Sequence, residues 1–121
     1  MKKKVLIIDD EGDLVEELVV LLRRKDFLVD VSLNGNSGLG KVASFQPDII
    51  ILDVLMPKMD GWEVCRRIRA DPKTEKIPVI VLTGLKEPNL EKEIKAAGAQ
   101  DFLLKPYSRE TLLNKIRVCL Q

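Results

Sequence analysis

Three carboxylates, one hydroxyl and one amine stand where short apolar runs end. Asp9 and Asp10 follow Val5–Ile8, and Asp53 follows Ile49–Leu52. Thr83 follows Val79–Leu82, and Lys105 follows Phe102–Leu104. Runs this apolar and this rich in β-branched residues suit strands buried on both faces. A lone acid at the end of such a strand is costly unless something compensates it. In a parallel sheet all five residues gather at one edge, where open α/β sheets place their sites. Two carboxylates about 4 Å apart repel by about 4 kcal/mol at an effective dielectric of about 20. Three together need a cation. Oxygen ligands in a chain with no histidine favour a hard ion, Mg²⁺ or Mn²⁺. A metal-bound carboxylate can act as a nucleophile toward a phosphoryl group, giving an aspartyl phosphate. The ion, Lys105 and Thr83 would then neutralise the phosphoryl oxygens. Each residue alone has a plainer reading. Asp9 and Asp10 suit a helix start, Asp53 can cap a loop, Thr83 can be an ordinary strand-end hydroxyl, and Lys105 a solvated charge. The combination is far more selective than its parts.

The elements that must position these residues follow in chain order. After the first strand, Asp9, Asp10, Glu11 and Asp13 suit a helix N-terminus, and Leu14, Leu18, Leu21 and Leu22 repeat at helical spacing with Val15 and Val19. Arg23, Arg24 and Lys25 fill the last turn. Leu28–Val31 reads as the second strand. Asn34-Gly35 reads as a turn, with Ser37 capping a helix through Leu39, Val42 and Ala43 that Pro47 ends. Ile49–Asp53 is the third strand, and Trp62–Ala70 the third helix, with Val64, Cys65 and Ile68 inward. Pro78 opens the fourth strand, Val79–Leu82, an acceptable place for proline. Leu90, Ile94 and Ala97 mark the fourth helix, stopped by Gly98. Phe102–Leu104 is the fifth strand. Ser108 caps a last helix carrying Leu112, Leu113, Ile116 and Leu120. Strands alternating with helices imply parallel crossovers and a doubly wound α/β sheet.

Composition bounds the class. The chain has 121 residues, 45% of them hydrophobic, and fits one domain, 1–121. Its 20 basic and 19 acidic residues leave a net charge of +1, which argues against direct nucleic-acid binding by this chain. The basic start Met1–Lys4 is followed by only four apolar residues before Asp9. A secretory signal needs about 7–15, and a membrane span roughly 18. The expected place is the cytoplasm. Cys65 and Cys119, far apart in helical patterns, read as buried free thiols.

Asp9-Asp10 after a short strand, Asp53 followed by Met56-Pro57 and Met59-Asp60-Gly61, Thr83-Gly84, and Lys105-Pro106-Tyr107 resemble the receiver domains of two-component response regulators. The resemblance runs from Lys3 to Leu120. It implies a flavodoxin-like (βα)5 fold with strand order 2-1-3-4-5. It implies that Asp53 accepts a phosphoryl group from a phosphohistidine on a sensor histidine kinase or phosphotransfer protein, as in a phosphorelay. Asp10, Asp53 and the backbone carbonyl of Leu55 would ligate Mg²⁺, with Asp9 acting mainly through a water. Thr83 and Lys105 would bind the phosphoryl group. Thr83 and the aromatic Phe102 would form the switch that alters the surface of the fourth helix, fifth strand and fifth helix. Lys86, Glu87, Lys92, Lys95, Asp101 and Arg109 would decorate that surface, which engages a downstream protein and can support a phosphorylation-dependent homodimer. The Lys105-Pro106 bond is usually cis in the family.

Gly84 stands where the family often has alanine. Leu55 and Leu85 flank the expected path of the attacking water, and two leucines cannot orient it, so the phosphorylated state is expected to be long-lived. The chain is expected to catalyse at most its own phosphorylation and dephosphorylation. A phosphatase of the haloacid dehalogenase type needs a second aspartate where Leu55 stands. A flavin or nucleotide binder wants amides or a glycine loop where this chain has an acidic run. Gly35, Gly38 and Gly40 do not follow the dinucleotide spacing. The alternative that remains is an interaction module of the same fold that works without phosphorylation. No output domain fits after Leu120, so the chain reads either as a stand-alone regulator or as a piece of a longer one.

Overall fold

The computed structural model describes residues 1–56, 60–84 and 88–121. Strands and helices alternate as β1 Lys4–Ile8, α1 Gly12–Arg24, β2 Leu28–Ser32, α2 Gly35–Phe45, β3 Ile49–Asp53, α3 Gly61–Ala70, β4 Val79–Thr83, α4 Leu90–Ala97, β5 Asp101–Leu104 and α5 Arg109–Cys119. The strands form one parallel sheet in the order β2-β1-β3-β4-β5. This is the doubly wound sheet that the sequence predicts.

Alternation along the strands divides the core in two. Val5, Ile7, Ile49, Ile51, Ile80 and Leu82 point to one face, where Leu18 and Leu22 of α1 and Leu112 and Ile116 of α5 cover them. Leu6, Ile8, Ile50, Leu52, Val79 and Val81 point to the other, under Val42 of α2, Val64, Cys65 and Ile68 of α3, and Ala97 of α4. Successive strand side chains face opposite ways, so a strand covered on both sides must be apolar at every position. β1, β3 and β4 have that composition apart from one terminal residue each, Lys4, Asp53 and Thr83. The edge strands β2 and β5 are only half covered.

Local signals set the helix ends. Ser108 caps α5 by accepting from the Thr111 amide at 3.1 Å, as expected. Gly98 ends α4 at φ 86°, a left-handed conformation that suits glycine. At α2 the cap is Asn34, not Ser37. The Asn34 Oδ1 accepts from the Ser37 amide at 2.8 Å, while the Ser37 hydroxyl pairs with Ser32 Oγ at 2.6 Å. Cys65 is a buried free thiol; Cys119, also free, is only half-buried. Among the described residues no helix is long and apolar enough to cross a membrane. Pro57 and Met59 of the expected turn, and Leu85, Lys86 and Glu87 of the expected water path and surface, lie outside the described residues.

Candidate functional site

Parallel pairing brings the carboxyl ends of the strands to one edge. β1 ends at Ile8 beside Leu52, so Asp9 leaves the sheet next to Asp53. Asp53 pairs with Leu82 and Thr83 with Leu104, which places Thr83 and Lys105 on the other side of Asp53. The Lys105 amide donates to the Thr83 carbonyl at 2.8 Å. The Lys105-Pro106 bond is cis, as the resemblance implies.

The side chains converge. One carboxylate oxygen from each of Asp9, Asp10 and Asp53 lies within 4.8 Å of the others. Asp9 and Asp53 are 1% and 2% exposed, so neither is a solvated surface acid. Asp10 faces solvent. The Lys105 Nζ donates to Asp9 Oδ2 at 3.1 Å and to Asp53 Oδ2 at 3.3 Å. The remaining carboxylate oxygens are held by backbone. Asp9 Oδ1 accepts from the Glu11 amide at 3.0 Å, and Asp53 Oδ1 from the Leu55 amide at 2.9 Å.

Glu11 has a part that its sequence position alone does not assign. Its Oε1 accepts from the same Lys105 Nζ at 2.9 Å. Glu11 is read above only as a helix-start acid and as part of an anion-repelling run. The sole signal in the sequence is its spacing, two residues beyond Asp9.

Charge is unevenly compensated. Three carboxylates, of Asp9, Glu11 and Asp53, contact one ammonium, and Asp10 adds a fourth acid beside Asp9 and Asp53. Burial pushes the Asp53 carboxyl up to about 6; the Leu55 amide opposes this, neighbouring Asp9 adds to it, and Lys105 opposes it. Burial works against the Lys105 charge, but hydrogen bonds to Glu11 and Asp9 outweigh it and hold the ammonium well above its ordinary range. An all-oxygen donor set with surplus negative charge, one member of which resists ionisation, fits a hard divalent cation.

Beside these acids lies a cavity of about 600 Å³, lined by Leu14, Leu18, Leu21, Leu55 and Tyr107 among others. Leu55 is half-exposed there, at 50%. Burial pushes the Tyr107 hydroxyl up to about 12. Phe102, on β5, packs against the core face shared with α3 and α4. The Lys115 Nζ sits 5.9 Å from its ring centroid and 2.8 Å from Asp101 Oδ1.

Behind Asp53 the chain turns into α3, capped by Asp60, whose Oδ1 accepts from the Glu63 amide at 2.9 Å. Gly61 has no room for a side chain. A Cβ there would lie 2.4 Å from both the Asp53 carbonyl and the Val54 Cα. Both contacts are backbone, so relief requires the strand end to move. Gly61→Ala is expected to destabilise the fold by about 1–3 kcal/mol or more, read by urea denaturation. An unchanged midpoint would show that the loop has slack.

A profile of the response regulator receiver domain matches residues 5–117. The DNA-binding dual master transcriptional regulator RpaA of Synechocystis is 35% identical over 118 residues, covering 98% of this chain and 49% of that protein. The phosphate regulon transcriptional regulatory protein PhoB of Rhizobium meliloti is 34% identical over 121 residues, covering 100% of this chain and 53% of that protein. The chain thus spans about half the length of these two relatives. Among solved structures, the chemotaxis protein CheY4 of Vibrio cholerae superposes with a TM-score of 0.93 at 32% identity, covering 99% of this chain and 100% of that one. A two-component response regulator from Clostridium difficile gives 0.91 at 29% identity, covering 98% and 96%.

Proposed function

The chain belongs to the response regulator receiver domain family, and from that premise we propose that it is a signalling switch thrown by phosphorylation of Asp53. The observation that carries this is the Lys105 ammonium held between Asp9 and Asp53, with Asp10 alongside. A purely structural ion pair has no use for two further carboxylates on the same lysine and a third acid beside them.

The phosphoryl donor is a phosphohistidine on a sensor kinase or phosphotransfer protein. An Asp53 oxygen forms the new P–O bond as the P–N bond breaks, and the electron pair stays on the imidazole nitrogen. Asp10, Asp53 and the Leu55 carbonyl would hold Mg²⁺, with Mn²⁺ as a substitute and Asp9 acting through a water. When bound, the ion neutralises charge on the phosphoryl oxygens. Lys105 contributes a fixed positive charge and Thr83 a hydroxyl at the same edge. The Leu55 amide orients the nucleophile by holding its other oxygen. The chain turns nothing over beyond its own phosphorylation and dephosphorylation, and it works in the cytoplasm.

Phosphorylation adds about −1.5 to −2 charges. Thr83 and Phe102 respond, and the α4–β5–α5 surface changes its affinity for a downstream protein or for a second phosphorylated copy. Asp101 and Lys115 belong to that surface. Leu55, half-exposed beside Asp53, brings no polar group to attacking water, so the phosphorylated state is long-lived.

The test is mass spectrometry after incubation with acetyl phosphate. One added phosphoryl group is expected with Mg²⁺ and none with a chelator. After the donor is removed, the adduct should persist well beyond seconds. No adduct under any condition would leave the phosphorylation-independent interaction module in its place. An adduct lost within seconds would refute the shielding role of Leu55.

A further inference from the structure

The outer ridge of α1 is left uncovered by the rest of the fold. Glu16, Val20 and Arg24 follow at intervals of four, so they form one row along the helix. Val20 is 50% exposed at its centre. Hollows flank the row on both sides. One, of about 570 Å³, is walled by Val15, Val19, Val31 and Leu33, with Leu33 itself 53% exposed. The other, of about 320 Å³, runs along Leu21 toward Arg109 of α5.

The charges on this row are split by sign. Glu16 and Glu17 lie before Val20, and Arg23 and Arg24 after it. Among the described residues none of these four belongs to an ion pair. The helix dipole favours acids early and bases late, but it does not account for an exposed valine between a mainly apolar hollow on one side and a charge-rimmed one on the other.

We propose that the α1 ridge is an interface between two copies of this chain, packed antiparallel about a two-fold axis at Val20. Such an axis pairs positions whose numbers sum to twice that of Val20. Glu16 then faces Arg24 of the second copy, and Glu17 faces Arg23. The ridge of each copy enters a hollow of the other, as ridges-into-grooves packing requires. A parallel arrangement would set Glu16 against Glu16 and is excluded by repulsion. A two-fold contact must be self-complementary, and this row is. The four charges that pair are not phosphoacceptor or metal-site groups, so the contact forms without phosphorylation; its second hollow reaches Arg109 at the edge of the α4–β5–α5 surface. One helix row and its hollows make a small interface, so the affinity is modest.

Sedimentation velocity on the unphosphorylated chain, run up to several hundred micromolar, tests this. The wild type is expected to shift toward dimer as concentration rises, and Asp53→Asn equally so. A double variant with Glu16→Arg and Glu17→Arg carries only positive charge on the row; one with Arg23→Glu and Arg24→Glu carries only negative charge. Each alone should weaken self-association at least tenfold. Mixing the two in equal amounts should restore it, because every facing pair is then opposite in sign. The recovery also certifies that both variants are folded. A wild type that stays monomeric throughout overturns the proposal, as do double variants that associate like the wild type or a mixture no better than its components. Failure of Asp53 to become labelled would leave this interface untouched.

Discussion

Asp53→Asn is expected to abolish phosphoryl labelling and, in the presence of a chelator, to make the fold more stable at neutral pH. The first effect follows from chemistry, because an amide cannot form the acyl phosphate. The second follows from burial. Asp53 is 2% exposed and lies beside Asp9, with its carboxyl pushed up to about 6 against an ordinary value of 3.8. Below about pH 4 the carboxyl is protonated in both folded and unfolded chains and costs nothing. As pH rises from 4 through 6, the unfolded chain ionises while the folded one keeps its proton. Stability is therefore lost across that window, the opposite of the usual carboxylate, and stays lost above it. A raised value of this size corresponds to about 3 kcal/mol. Part of it returns as a penalty in the variant, since asparagine loses its attraction to Lys105. Urea denaturation of both proteins from pH 4 to neutrality, without divalent ions, gives the readout. The advantage of the variant should grow through the window and then level off. A difference that is flat with pH, or that favours the wild type more as pH rises, would sink this account of the site. Adding Mg²⁺ should shrink the advantage, because the ion stabilises the ionised wild-type carboxylate and has less to bind in the variant.

Some of this was legible in the residues and some was not. The strands announce themselves because a strand covered on both faces admits no polar residue until it leaves the core. Ile49–Leu52 ends at Asp53 and Val5–Ile8 at Asp9, and both acids are still buried, which is why they read as a site and not as a surface. Strand order is different. Alternating strands and helices fix parallel crossovers but permit several orders, and 2-1-3-4-5 came from the resemblance. The cap of α2 was misplaced because Asn34 and Ser37 are both competent. What decides between them is backbone, with Asn34 extended at φ −154° and ψ 165°. Glu11 was missed because its contact with Lys105 crosses 94 positions and depends on how one loop presents a side chain. The Lys115 contact with Phe102 was missed for a related reason, since it joins a helix to the edge strand before it. Val20 lies outside the apolar stripe read for the first helix. Its interest arises only once the surface on either side of it is known.

Lys105→Met is expected to carry the largest stability cost, and one that Mg²⁺ reverses in part. Lys105 is 14% exposed at its side chain and contacts Asp9, Glu11 and Asp53 at 3.1, 2.9 and 3.3 Å. Methionine preserves much of the stem and its packing but removes the charge. Asp9 and Asp53 are then left buried, with no cation beside them among the described residues. Removing one partner of a buried pair costs about 3–5 kcal/mol, because the abandoned charge remains desolvated. Glu11, 58% exposed at its side chain, regains water and adds little. With a chelator present, the loss should be greatest at neutral pH and should ease on acidification, as the stranded acids take up protons. Mg²⁺ should restore a substantial part of it, since the ion can substitute for the missing charge. Labelling at Asp53 should fall sharply even then, because on the proposed reading the ion would not replace the ammonium that would face the phosphoryl group. The double variant with Asp53→Asn and Lys105→Met separates charge from packing. If stranded charge dominates, the pair should lose less stability than Lys105→Met alone, with a coupling energy of about 1–3 kcal/mol. If the two losses add, or if Lys105→Met keeps wild-type stability in chelator, then the lysine is not what holds these acids together.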